Sequence, residues 1–525
     1  MLFNSAEFIF GFLPALFLAF FLFARLQQKH AAIGVLVLGS LIFYGWWKPE
    51  YLPLLIFSLI FNFVVARAIA QQVKPKQSKL LLAAGVVVNL GLIGYYKYTD
   101  FGLEIINDIF GSRLSLLKLL LPLGISFFTF QQIAYLVDAY RGIASEFRFL
   151  HYCLFVTFFP QLIAGPIVHY SVMQQFEKPD TFHINWNKFS VGLFIFTIGL
   201  FKKAVFADSI AGFANPVFSA VDSGLSVTTL EAWGAALAYT MQLYFDFSGY
   251  SDMAVGLGLL FGISLPLNFR SPYKAADIID FWRRWHMTLS QFLRDYVYIP
   301  LGGNRKGSMR RYANLMATML IGGLWHGAGW NFIIWGGLHG LYLMINHAYK
   351  SVSTAIPKLL NPLRFRFFSV LVTFIAVVVA GVFFRSTTVG GAMTILSSML
   401  SLNGVTLPAD IAKGLNLLGK SNMIADLEGI GLRFSDASGH IAIQDWGFAG
   451  VPLIALLLLL VWFTPNAYDM VQQFSFTQGA DGLVIPERLN SNQGAFIAIC
   501  TGIIFFVAVT TIFASTPSEF LYFNF

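Results

Sequence analysis

The sequence predicts an all-α protein whose helices lie mainly in a lipid bilayer, and three observations lead there. Of its 525 residues, 57% are hydrophobic and 11% charged, whereas soluble proteins carry about 25% charged residues. The mean hydropathy is +0.68. Apolar stretches recur at the length of about 17–25 residues that a hydrocarbon core requires, and the charges fall between them. Candidate spans are 8–24, 31–47, 51–66, 80–96, 119–137, 150–165, 189–207, 229–247, 250–263, 313–330, 331–349, 367–385, 449–463 and 494–514. Several are short or broken by Gly or Pro and read as re-entrant, leaving about 11–13 crossings of one integral domain, residues 1–525.

Loop charge orients the first half. Arg67, Lys74, Lys76 and Lys79 follow the third span with no nearby acid and read as cytoplasmic. In 97–118, Lys97, Arg113 and Lys118 are balanced by Asp100, Glu104 and Asp108, which reads as external. Both assignments put the N-terminus outside. The positive charges Arg25 and Lys29 follow the first apolar run, which predicts an uncleaved span. Segment 388–448 should be external and 464–493 cytoplasmic.

The segment 264–312 holds nine Lys/Arg against three Asp and so supplies +6 of the chain's +8. It should face the cytoplasm. In DIIDFWRRWHMTLSQFLRDY, apolar residues recur at helical spacing under a basic face, as in an interfacial or re-entrant amphipathic helix. On one continuous helix Arg283, His286 and Ser290 would share a face. Arg283 and Arg284 offer planar forks to phosphate oxygens, or to anionic lipid headgroups.

Polar groups inside apolar runs are costly and mark working pathways. His326 stands in GGLWHGAGWN, between Trp325 and the glycines 322, 323, 327 and 329, which either pack helices closely or open a slot beside the imidazole. Asp246 and Asp252 interrupt LYFDFSGYSDMA. A turn at Ser248–Gly249 is expected there, with a proton or cation path as the alternative. Gly256, Gly258 and Gly262 read as helix-packing surface, and Cys153 and Cys500 as packing residues. No Walker A, HExxH or GxSxG pattern occurs. No metal site is expected, and the basic charge is loop-borne, so no nucleic-acid partner is expected.

RRWHMTLSQFLRDYVYIPLGGNR (283–305) followed by GGLWHGAGWNFIIWGGLHG (322–340) resembles the membrane-bound O-acyltransferase family, in its branch that O-acetylates exported polysaccharides such as alginate. LPLGISFFTFQQIAYLVDAYRG (121–142), FFPQLIAGPI (158–167), QLYFDFSGYSDMAVGLG (242–258) and FLYFNF (520–525) agree, with the core motifs in 121–345. The resemblance implies a ring of helices around a thinned centre with a cavity open to both faces. His326 maps to the family's near-invariant histidine and His286 to that of the WRRWH motif, which makes them the candidate catalytic pair. Arg283, Arg284, Trp285 and Ser290 are implied on the donor side, and Trp325 and Asn331 on the acceptor side.

The implied activity takes acetyl from cytoplasmic acetyl-CoA, with no tightly bound cofactor. It delivers the acetyl to a periplasmic SGNH-hydrolase-like acetyltransferase working with polysaccharide export machinery. The implied location is the bacterial inner membrane, among its lipids. Related readings are D-alanyl or peptidoglycan acyl transfer. An ion-coupled transporter is the competing class, and it would be expected to show inverted repeats; none is visible.

Overall fold

In hydrocarbon a backbone must satisfy its own N–H and C=O groups, so the apolar stretches are held to helix. The computed structural model describes all residues except 73, 145–147, 356–365, 403–404, 436–444, 473–476, 480–481, 485–490, 515–517 and 525. Among the described residues, five helices are long and apolar enough to cross a bilayer: Glu7–Arg25, Pro49–Gln71, Pro75–Phe110, Trp186–Asp222 and Arg366–Arg385. Lys29–Gly45, Val389–Met399, Val451–Phe463 and Ala498–Ala514 are shorter apolar helices. The chain is an all-α polytopic membrane protein.

Several expected spans change shape. The stretch 119–137 becomes helix only at Ile125. Its extended lead-in is held where Asp100 accepts from the Leu117 and Lys118 backbone N–H groups at 2.7 and 2.8 Å. The stretch 150–165 splits into Phe149–Thr157 and Phe159–Leu162, because Pro160 opens a new helix. Expected spans 229–247 and 250–263 are one 32-residue helix, Thr229–Leu260. It starts with a capping box in which Thr228 and Glu231 bond reciprocally.

No turn forms at Ser248–Gly249. Gly249 instead faces the Gly199 carbonyl of the helix Trp186–Phe201, where an added Cβ would lie 2.8 Å from the oxygen. Two turns further on, a Cβ on Gly256 would meet the Gly192 carbonyl at 2.5 Å and the Phe196 nitrogen at 2.6 Å. The two backbones touch through their glycines, the packing that lipid-embedded helices favour. Gly262, at φ +79°, ends the long helix.

The two aspartates are neutralised from that same neighbour. Beyond Phe201 the chain widens into the π-helical stretch Lys202–Ala207. Lys202 pairs with Asp252 at 2.6 Å, and Lys203 pairs with Asp246 at 2.8 Å and Asp208 at 2.9 Å. Lys203 also donates to Ser518 Oγ and the Glu519 carbonyl, while Asp246 accepts the Leu521 N–H at 3.0 Å. The cluster pins the segment 518–521 into the bundle.

Segment 388–448 departs from pure helix. Val405–Pro408 pairs in parallel with Leu432–Ser435 around the short helices Ala409–Leu417 and Ser421–Gly429. Residues 436–444 and much of 464–493 lie outside the described residues.

Two variants test this packing. Gly256→Ile should cost about 1–3 kcal/mol through overpacking, read as a lower melting temperature in detergent. Lys203→Met strands the buried Asp246 carboxylate and should cost about 3–5 kcal/mol, with segment 518–521 becoming accessible to protease.

Candidate active site

His326 is the last residue of the helix Gly307–His326, which turns back through Gly327–Gly329 into the helix Trp330–Ala355. The hairpin is tight because Gly323 faces the Phe332 carbonyl and Gly336 faces the Met319 carbonyl, leaving no room for a Cβ at either position. Gly323 therefore packs helices, whereas Gly327 and Gly329 border a cavity, Gly327 with its Cα pressed against the Phe332 ring. Twenty helical residues span about 30 Å, so the two ends of the hairpin lie far apart. At the end opposite His326, Lys350 pairs with Asp277 of the basic segment at 2.8 Å. Burial acts to raise the Asp277 carboxyl. The Lys350 bond and the N–H groups of Asp280 and Ile279 outweigh it and hold the group below its ordinary range.

The basic segment is not the continuous helix expected. It forms Ile278–Trp282 and Met287–Leu293, broken between them, with His286 at φ +42° in the left-handed region. Such a conformation is uncommon for a non-glycine residue and clusters at functional sites. The face-sharing of Arg283, His286 and Ser290 is thereby lost. The break turns Trp285 and His286 inward and leaves Arg283 outside.

Residues 268–270 hold the break in place. The Asn268 carbonyl accepts the Met287 N–H at 2.9 Å, and the Arg270 N–H donates to the Arg284 carbonyl at 2.9 Å. The Asn268 Oδ1 accepts from Thr288 Oγ1 at 3.0 Å and lies 3.0 Å from His286 Nδ1. The Thr288 backbone N–H also points to that atom, so it is the oxygen, and His286 Nδ1 must carry the proton. His286 Nε2 is left as a lone pair, buried and with no hydrogen-bond partner among the described residues.

The break brings the two histidines together. Their ring centroids lie 6.4 Å apart, with His286 0% and His326 2% exposed. His326 Nδ1 and His339 Nδ1 are also buried without a partner among the described residues. Around His326 stand Trp325, Trp335, Phe384 and Tyr522, with centroids at 4.8 to 5.8 Å. Tyr522 arrives on the segment that Lys203 and Asp246 pin, and stacks on Phe247 at 3.9 Å.

Three cavities flank this cluster. An outer bowl of about 630 Å³ is lined by Lys97, Asp100, Gly327, Asn331, Phe384 and Arg385 among others. A basic mouth of about 480 Å³ is lined by Arg270, Lys274, Arg283, Arg284, Asp280 and Asp469, with Ser271. Between them a neck of about 30 Å³ is walled by Trp285, Trp335, His339, Phe384, Tyr239 and Tyr522 with other, mostly apolar, side chains. Phe384 and Tyr239 border both bowl and neck.

The expected residues thus sort by position. Arg283 and Arg284 face the mouth, Trp285 the neck and Asn331 the bowl, where its amide donates to the Ser386 carbonyl. Ser290 instead borders a separate cleft of about 550 Å³ that also touches Arg283. Trp325 is packed on Phe130 at 5.2 Å and lines none of these cavities. His326 lines none of them either, and its ring is screened by aromatic neighbours. The expected two-sided opening is closed at the neck.

Asn268, His339, Lys97 and Tyr522 were not picked out from the sequence. His339 carried a signal, as a third histidine in an apolar run. Asn268 carried none, because its role depends on the break it holds.

Nitrogen-15 NMR of histidine-labelled protein should show His286 as the Nδ1–H tautomer. In Asn268→Leu that preference should disappear; an unchanged His286 signal would contradict the assignment.

A model of the membrane-bound O-acyltransferase family, MBOAT, matches residues 131–385. The chain is 47% identical over 438 residues to the peptidoglycan O-acetyltransferase of Helicobacter pylori, covering 78% of this chain and 81% of that protein. It is 42% identical to the probable alginate O-acetylase AlgI of Azotobacter vinelandii, covering 78% and 79%. With the probable alginate O-acetylase AlgI of Pseudomonas fluorescens it shares 36% over the whole of both chains. The chain belongs to the membrane-bound O-acyltransferase family and is a membrane-bound acyltransferase.

Proposed function

We propose that the protein moves acetyl groups from cytoplasmic acetyl-CoA, across the bacterial inner membrane, to an acceptor on the periplasmic side, with its N-terminus periplasmic. The observation that carries this reading is the pair of histidine rings 6.4 Å apart, set between a basic mouth and an outer bowl. The charged nucleotide of the donor stays at Arg270, Lys274, Arg283 and Arg284, since carrying it into hydrocarbon is too costly. The thin pantetheine arm takes the thioester into the neck. Its entry requires the rings of Trp285, Trp335, Phe384 or Tyr522 to swing aside.

The acceptor hydroxyl enters from the bowl past Gly327 and Asn331. His326 takes its proton as general base, since a neutral imidazole offers a lone pair near neutral pH. The acceptor oxygen bonds to the acetyl carbon, the C–S bond breaks, and the leaving thiolate takes the proton that His326 holds. His286 Nε2, with Nδ1 fixed by Asn268, supports that exchange from the donor side. The acceptor is the serine of a periplasmic SGNH-hydrolase-like partner that passes acetyl to an exported glycan. The motifs favour alginate as that glycan, and the 47% identical relative named for peptidoglycan supports the second reading. The ion pairs of Asp246 and Asp252 with two lysines count against a relay and hence against ion-coupled transport.

The test is purified protein in vesicles with labelled acetyl-CoA, a periplasmic partner, alginate and peptidoglycan. Label should reach partner and glycan with release of CoA. His326→Ala should lower transfer by about 10²–10⁴-fold while inserting normally. Full transfer by that variant overturns the role of His326, and solute uptake without CoA release overturns the enzyme reading.

A further inference from the structure

Lys97 lies in the π-helical stretch Gly94–Tyr98 of the apolar helix Pro75–Phe110. A cation there is costly unless its N–H groups are satisfied. Its ammonium donates to the carbonyl of Trp325 and to that of His326 at 3.1 Å. The neighbouring Tyr98 hydroxyl donates to the Leu324 carbonyl at 2.7 Å. These are the last three carbonyls of the helix that ends at His326. Helix geometry leaves such groups without an internal partner, and they carry the negative end of the helix dipole. The same lysine side chain lines the outer bowl. Two of its three N–H groups are used on the helix end, which leaves one for the bowl.

We propose that Lys97 is the positioning residue for His326. It clamps the last helical turn from the bowl wall, so that the imidazole is held against Trp335, Phe384 and Tyr522, the rings that wall the neck. This rests on the proposed role of His326. Without the clamp the last turn frays, the imidazole leaves its place among Trp335, Phe384 and Tyr522, and transfer slows although donor binding at the distant mouth persists.

The experiment compares Lys97→Met, Lys97→Arg, Tyr98→Phe and His326→Ala in vesicles, with labelled acetyl-CoA and the acceptor. For Lys97→Met, kcat per folded protein should fall about tenfold to a hundredfold, the scale of a small misplacement of a reacting group. KM for acetyl-CoA should stay within about twofold. Lys97→Arg should recover most of the rate because it restores a cation to the carbonyls, and Tyr98→Phe should show a smaller kcat loss. Should Lys97→Met fail to fold, the Arg and Phe variants carry the test. Unchanged kcat in the Met variant, or in the Phe variant when the Met variant does not fold, overturns the proposal. So does a rise in KM alone. An active His326→Ala overturns the role of His326 itself, whereas an inactive His326→Ala beside a fully active Lys97→Met overturns only the clamp.

Discussion

Asn268 Oδ1 is the atom on which the site depends. Inside a bilayer an unmatched polar group cannot turn to water, so breaking a helix at membrane depth requires other protein groups to receive the freed donors. The break after Trp282 exposes the backbone of residues 284–288. Asn268 and Arg270 meet it with two backbone bonds, and the amide oxygen gathers Thr288 and His286. Thr288 Oγ1 in turn accepts the Ile167 N–H at 3.0 Å, tying in the FFPQLIAGPI stretch. One side chain thus stabilises the left-handed turn, sets the histidine tautomer and joins three separated parts of the sequence.

The second polar cluster does for the segment 518–522 what Asn268 does for the break. Buried Lys203 and Asp246, with half-buried Asp208, form an ionic group whose remaining valences are met by Ser518, Glu519 and Leu521. Buried ion pairs are weak sources of net stability, but removing one partner of such a pair is costly. Here the arrangement delivers Tyr522 to the neck. The two aspartates, for which a turn was the expected role and a path the alternative, are consumed in ion pairs with Lys203 and Lys202.

Much of this was legible in the residues, and the remainder has identifiable causes. Apolar length and loop charge marked helices and the basic segment because the bilayer imposes both. His326 and His286 stood out because imidazoles are rare in such runs. Periodicity misled at 277–296, where an apolar stripe at helical spacing is real but the helix is broken. Spacing says which residues would share a face, not whether backbone groups elsewhere can stabilise a turn. It misled again at Ser248–Gly249, where Gly249 serves close approach to Gly199 and the helix runs on. Lys97 was counted only as one of three balancing charges in an external loop. Its contact with Trp325 and His326 joins residues more than 220 positions apart, which no local pattern encodes.

The closed neck fits the transfer proposed above. A permanently open path between mouth and bowl would leak ions, and the potential across the membrane makes that leak costly to the cell. Aromatic rings solve this because they fill the neck with apolar volume yet rotate about two bonds. The polar groups that cannot move without loss, Asn268 and the Lys203 cluster, lie behind those rings and not among them. The rigid parts therefore fix where the histidines stand, and in the proposed reaction it is the rings that yield to substrate. His326 lies behind those rings, its backbone clamped from the bowl and its ring held by aromatic edges. A ring so placed keeps its position through the opening of the neck, since what opens is its surroundings and not its anchor.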